Sequence, residues 1–251
     1  MNPGRRGQGH GRDADPFGGQ DEQLFLERIR SRLRERPARA IPPAPYPAPA
    51  GEDEPSADTY PQRAERFCAA LEALGGRALR VRGESEAFEA VAEELAKKGA
   101  TCALAGGGDW SACRQLLAAR GIQLECWDEL EFSFGGPQRA PHYVNRWDAG
   151  IDWVDYAVAE LGSVAVVAAP AQGRVVSLLP PLYVALVRAD RLFATRRGVL
   201  AHVARRSRAN RRPPALTFIT GPSRSADIEM DLSIGVHGPG DVLAILVEGG
   251  D

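Results

Sequence analysis

Residues 101–127 read TCALAGGGDWSACRQLLAARGIQLECW, and this stretch decides the fold class. A short apolar run (Thr101–Ala105) ends in Gly106-Gly107-Gly108-Asp109. A segment of helical periodicity follows over Ser111–Arg120, then a second apolar run at Ile122–Trp127. Two short buried strands separated by about ten helical residues favour parallel pairing, because parallel neighbours need a crossover and a helix supplies it. The unit extends upstream: Ala78–Arg82 reads as a strand, Glu84–Lys98 as an amphipathic helix, and Gln62–Leu74 as a helix stopped by Gly75-Gly76.

Downstream, residues 128–150 read as irregular, and Ile151–Ala159 as a helix. Strands are expected at Ser163–Ala168, Val175–Leu179 and Tyr183–Val187, then a basic helix around Val199–Arg208. Ala215–Thr220, Asp231–Val236 and Asp241–Val247 read as the last strands. The expected class is α/β, a mixed and largely parallel sheet with flanking helices, carried by one domain over residues 62–251.

Ahead of that domain, residues 1–20 hold six glycines and no hydrophobic pattern, so a disordered leader is expected. Residues 21–61 read as an amphipathic helix to about Arg36, through Phe25, Leu26, Ile29 and Leu33, followed by a proline-rich linker with eight prolines from Pro37 to Pro61.

The composition excludes several classes. Lys+Arg 31 against Asp+Glu 33 gives a net charge of −2, which argues against a nucleic-acid binder acting through bulk charge. The longest apolar stretches fall far short of the roughly 20 residues of a membrane helix. The N-terminus has no apolar core of a secretory signal, so a cytoplasmic protein is expected. Cys68, Cys102, Cys113 and Cys126 form no C-x-x-C pair, which makes them reduced, buried small hydrophobes and predicts neither a metal site nor a cofactor. Seven arginines between Arg196 and Arg212 lack interleaved aromatics and read as a solvated face.

The richest chemistry lies at TGPSRSADIE, residues 220–229, directly after the apolar LTFI. A strand ending in a Gly-containing turn, with Ser and Arg next, suits a small carboxylate or phosphate: amides at a helix N-terminus or nest point outward, and an arginine fork binds two oxygens. Thr220, Gly221, Ser223, Arg224 and Asp227 are the candidate ligand-binding residues. Glu229, and His237 in GVHGPG, are the candidates for proton movement, since imidazole titrates near neutrality. The plainer alternative is a turn with Ser223 capping a helix and Arg224 paired to Asp227. A third stretch brings Glu160 at a helix end, Gly162, Gly173-Arg174 and Ser177, of which Arg174 and Ser177 read as structural. Gly106–Gly108 lacks both G-x-G-x-x-G and the Lys-Ser/Thr of a phosphate loop. Ser223 and His237 are unaccompanied by a G-x-S-x-G elbow.

On AELGSVAVV (159–167), QGRVVSLLP (172–180), VRAD (187–190) and ITGPSRSADIEMDLSIGVHGPGDVLAILV (219–247), the chain resembles the lactate utilization protein C family, the LUD domain family. The resemblance implies a fold like that of the sugar isomerases and CoA-transferases. It also implies a part in oxidising L-lactate to pyruvate beside iron–sulfur subunits, with this chain free of clusters. Two other readings stand beside it: a free-standing enzyme of that superfamily acting on a phosphorylated or CoA-linked metabolite, and a noncatalytic assembly or regulatory protein.

Overall fold

A computed structural model describes residues 24, 27, 28, 31, 58–131, 146–168, 173–207, 215–226, 232–234 and 238–249. In the N-terminal unit Leu24, Glu27, Arg28 and Ser31 are helical and exposed, while the expected leader and proline-rich segment lie outside the described residues.

From Asp58 onward the chain starts with α1 (Tyr60–Ala73), entered where Gln62 Oε1 accepts the Thr59 N–H at 2.8 Å. Then come β1 (Arg77–Val81), α2 (Glu84–Lys97), β2 (Cys102–Gly106), α3 (Ser111–Ala119) and β3 (Gln123–Cys126). α3 ends at Gly121, whose φ of +76° is left-handed; the Ile122 N–H then closes on Leu117 O at 3.0 Å and turns the chain into β3. After α4 (Trp127–Glu131) follow β4 (Ala149–Trp153), β5 (Tyr156–Val158), β6 (Ser163–Val167), α5 (Val175–Leu178) and β7 (Leu182–Arg188). β8 (Leu192–Phe193), α6 (Arg196–Ser207), β9 (Leu216–Ile219), β10 (Arg224–Ala226), β11 (Leu232–Ile234) and β12 (Asp241–Val247) complete it.

The six strands β1-β12-β7-β4-β2-β3 form one sheet, parallel at every pairing. Its centre is apolar on both faces, as two-sided burial requires: in LYVALVR every residue from Leu182 to Val187 is buried. One face packs on α2 and α3 through Phe88, Val91, Leu95 and Leu117. The other packs on α1 and a second, four-stranded sheet ordered β8-β5-β6-β9, around Phe67, Leu71, Val164 and Tyr183. β6 is antiparallel to both of its neighbours and β5 is parallel to β8, so this second sheet is mixed. β10 and β11 form a separate antiparallel pair. The observed class is α/β, largely parallel, with flanking helices. No helix among the described residues is long and apolar enough to cross a membrane.

Two elements differ from the sequence reading. Ile151–Ala159 is not a helix: it holds β4 and β5, joined at Val154-Asp155. Ile151, Val154 and Val158 fall at helical spacing only because two short strands meet at that bend, each buried almost throughout. Val175–Leu179 is not a strand. Its β-branched start forms the single turn α5, in which Val176 is fully buried over Leu104 and Trp147.

Candidate functional site

The turn after β9 is assembled from three parts of the chain. The Thr220 and Ser163 hydroxyls are hydrogen-bonded at 2.7 Å, tying the end of β9 to the start of β6. Gly221 is buried with φ +75°, and a Cβ there would lie 3.1 Å from Leu74 Cβ, so the turn is moulded onto the end of α1. The Ser223 N–H donates to Pro239 O at 2.8 Å, and Gly238 packs against the Ser223 side chain. The structure thus brings the GPSR turn and the Gly238-Pro239 end of the GVHGP segment together.

The residues after the turn form β10 rather than a helix, so Ser223 is not a helix cap and the turn offers no helix N-terminus to an anion. A strand wins here because Arg224–Ala226 pairs with Leu232–Ile234. Arg224 is exposed, and its Nη2 donates to Leu74 O, one of the carbonyls that α1 leaves free at its C-terminus. A cation belongs at that negative end of a helix. One donor is used in this way, and the guanidinium has four more. Asp227, Glu229 and His237 lie outside the described residues.

The third stretch resolves into structural roles. Glu160 follows β5 in a turn instead of closing a helix, and its Oε1 accepts the Arg196 N–H at the start of α6, at 2.7 Å. Gly173 lies against the Trp127 indole, and the Ser177 hydroxyl donates to Arg174 O at 3.2 Å. Arg174 is exposed.

Sequence reasoning missed the carboxyl end of the parallel sheet, where open α/β sheets gather ligands at points where neighbouring connections diverge. From β2 the chain passes to α3 on one face, and from β4 it passes to β5 on the other. Between them stand the Gly106–Asp109 loop and Trp153. Trp110 and Trp153 stack with centroids 6.4 Å apart, and the Arg188 guanidinium lies 4.3 Å over the Trp153 ring. A surface cavity of about 440 Å³ adjoins the loop, lined among others by Asp109, Arg114, Cys126 and Asp128. The Asp109 carboxylate accepts the Ser111 N–H at 2.9 Å, so it occupies the start of α3 that a phosphate would use.

Beneath this edge Asp152 is 1% exposed and shares a 3.3 Å hydrogen bond with the Tyr183 hydroxyl; burial pushes its carboxyl well above the usual range. Its signal in the sequence was an acid inside the apolar run AGIDW, visible only to a strand reading. Cys102, Cys113 and Cys126 are buried and all four cysteines are free thiols, with burial pushing Cys113 up to about 12.

Residues 64–247 match the family described as the LUD domain. Among curated relatives, "Lactate utilization protein C" of Halalkalibacterium halodurans is 38% identical over 127 residues, covering 50% of this chain and 53% of the relative. The protein of the same name from Bacillus subtilis is 41% identical over 102 residues, covering 40% and 42%. The match spans about half the length of these relatives. Among solved structures, a DUF162 family protein from Deinococcus radiodurans superposes with a TM-score of 0.54 at 22% identity, over 76% of this chain and 99% of the other, and so shares the fold. With the family match running from α1 to the end of β12, the chain belongs to the LUD domain family.

Proposed function

We propose that this chain is a cytoplasmic component of a lactate-utilization system that takes part in oxidising L-lactate to pyruvate. The observation that carries the reading is the similarity to relatives named lactate utilization protein C. In this reading the two electrons leaving the substrate pass to iron–sulfur subunits, and the chain holds no cluster. The substrate carboxylate, or another small anion, binds at Thr220, Gly221, Ser223 and Arg224 beside Asp227, and Glu229 or His237 assists the movement of the protons that leave with the electrons. The exposed guanidinium of Arg224, with one donor engaged on Leu74 O, supports that assignment.

Reconstitution tests the function directly. L-lactate-dependent reduction of an electron acceptor by the iron–sulfur subunits is measured with and without the full chain. Loss of turnover on omission and recovery on re-addition are expected. Equal rates in both mixtures would rule the reading out.

A further inference from the structure

β4 is an interior strand, between β2 and β7, and Asp152 sits one residue from its carboxyl end. Asp152 Oδ2 accepts the Tyr183 hydroxyl at 3.3 Å, while Oδ1 is buried and has no hydrogen-bond partner. Gly106 stands opposite Asp152 in register on β2, and a Cβ on Gly106 would lie 2.5 Å from Oδ1 and 3.2 Å from Val176 Cγ2. Oδ1 therefore faces the Gly106 Cα–H, and the Val176 methyl packs on the same glycine.

Among the described residues, the groups around Asp152 supply no positive charge to balance a carboxylate. β7 presents the fully buried Tyr183, and the turn after β4 presents a second acid, Asp155, whose Oδ2 accepts the Val167 N–H at 2.7 Å. Among the described cations nearby, Arg188 lies over Trp153, which points to the opposite face of β4, and pairs with Glu84; Arg174, ahead of α5, is exposed. A carboxylate here would be desolvated, bonded by one phenol and repelled by Asp155. A neutral acid fits better than a carboxylate: it carries no charge to be compensated, Oδ2 keeps its single hydrogen bond with the Tyr183 hydroxyl, and Oδ1 lies uncharged against the Gly106 Cα–H.

We propose that Asp152 is a proton-held latch: as a neutral carboxylic acid it closes the carboxyl ends of β4, β2 and β7, and loss of its proton loosens those ends and the Gly106–Asp109 loop. Burial and Asp155 both hold the folded carboxyl above its usual range. An aspartate in the unfolded chain ionises near about pH 4. Above that value the native state keeps a proton that the unfolded state has lost. The latch is therefore fully effective at lower pH and weakens as pH rises, by about tenfold in the folding constant per pH unit until the folded group itself ionises.

The test uses the full chain and Asp152→Asn. Infrared spectra of the wild type are expected to carry, at a pH where free aspartate has ionised, a protonated-carboxyl band that the variant lacks. The folding constant of the variant relative to wild type is expected to rise about tenfold per unit above about pH 5 until the folded group ionises. As it does so, the protection factors of amides at the ends of β2 and β4, which remove the intrinsic pH dependence of exchange, are expected to fall in the wild type alone. Absence of the band, or parallel pH dependences, overturns the latch. Should the variant fail to fold, carbon-13 spectra of aspartate-labelled wild type decide alone. One carboxyl that stays protonated well above the ordinary aspartate range upholds the latch, and titration of all of them near the ordinary value overturns it.

Discussion

Glu160 Oε1 accepts the backbone N–H of Arg196 at 2.7 Å, which places a carboxylate at the positive end of α6. Thr195 Oγ1 takes the Gly198 N–H of the same turn at 3.2 Å, so two side chains meet donors that a helix cannot satisfy internally. The Glu160 N–H reaches Ala194 O at 3.1 Å, which continues the β5–β8 pairing up to the start of this helix. Glu160→Ala is expected to lower stability by about 0.5–1 kcal/mol, and Glu160→Gln by less, because an amide oxygen still accepts. Urea unfolding of both variants checks the order; an alanine variant as stable as wild type would show the cap to be idle.

Close backbone approach sets a second ordering, among three glycine-to-alanine substitutions. A Cβ at Gly150 would meet Val176 O at 1.9 Å, so β4 and α5 could not keep their spacing; one at Gly106 would meet the Asp152 carboxyl at 2.5 Å. Gly99 has φ +68° with nothing within 4 Å of an added Cβ, so it carries only the backbone cost. Gly150→Ala is expected to be the most damaging, above the roughly 1–3 kcal/mol typical of overpacking. Gly106→Ala should fall within that range and Gly99→Ala near about 1 kcal/mol. Denaturant midpoints of the three give the ranking, and it fails if Gly99→Ala is the worst.

These placements show where the sequence was legible. CALAG and DVLAILV announce buried strands because parallel strands covered on both faces lose their polar alternation, and the helices before β1, β2 and β3 each stop at a glycine that the chain spells out. AGIDWVDYAV misled because two strands of five and three residues are too short to outvote a chance helical spacing. Asp152 was lost with that misreading. At the candidate site, Thr220 and Ser163 are 57 residues apart and Arg224 and Leu74 are 150 apart, so only the folded chain reveals that the turn rests on α1.

Asp148 should govern part of the acid sensitivity. Its Oδ2 accepts the Thr101 N–H at 2.7 Å, the Thr101 hydroxyl at 3.0 Å and the Cys102 N–H at 3.0 Å, tying the start of β4 to β2. Burial works to raise this carboxyl, and the three donors outweigh it and hold the value below the usual range. A depressed folded value means that the stabilisation is complete above the unfolded value of about 4 and disappears as pH falls through the folded one. Asp148→Ala is therefore expected to be less stable than wild type at pH 7, with the gap closing below about pH 4. Thermal melts across that window test it, and a gap that widens in acid would contradict the sign.

Arg224 carries two assignments that separate experimentally. Its bond to Leu74 O at the end of α1 needs one donor, which lysine also has; a carboxylate held by two parallel N–H groups needs the guanidinium fork. Arg224→Lys is expected to melt within about 0.5 kcal/mol of wild type while binding lactate or pyruvate at least about tenfold more weakly in titration calorimetry, a loss of about 1.4 kcal/mol. Arg224→Ala should lose binding and some stability together. Equal binding by wild type and Arg224→Ala would leave the side chain as a clasp on α1 and remove the anion site from this turn. A lysine variant that binds normally but melts early would assign the fork to the helix end instead.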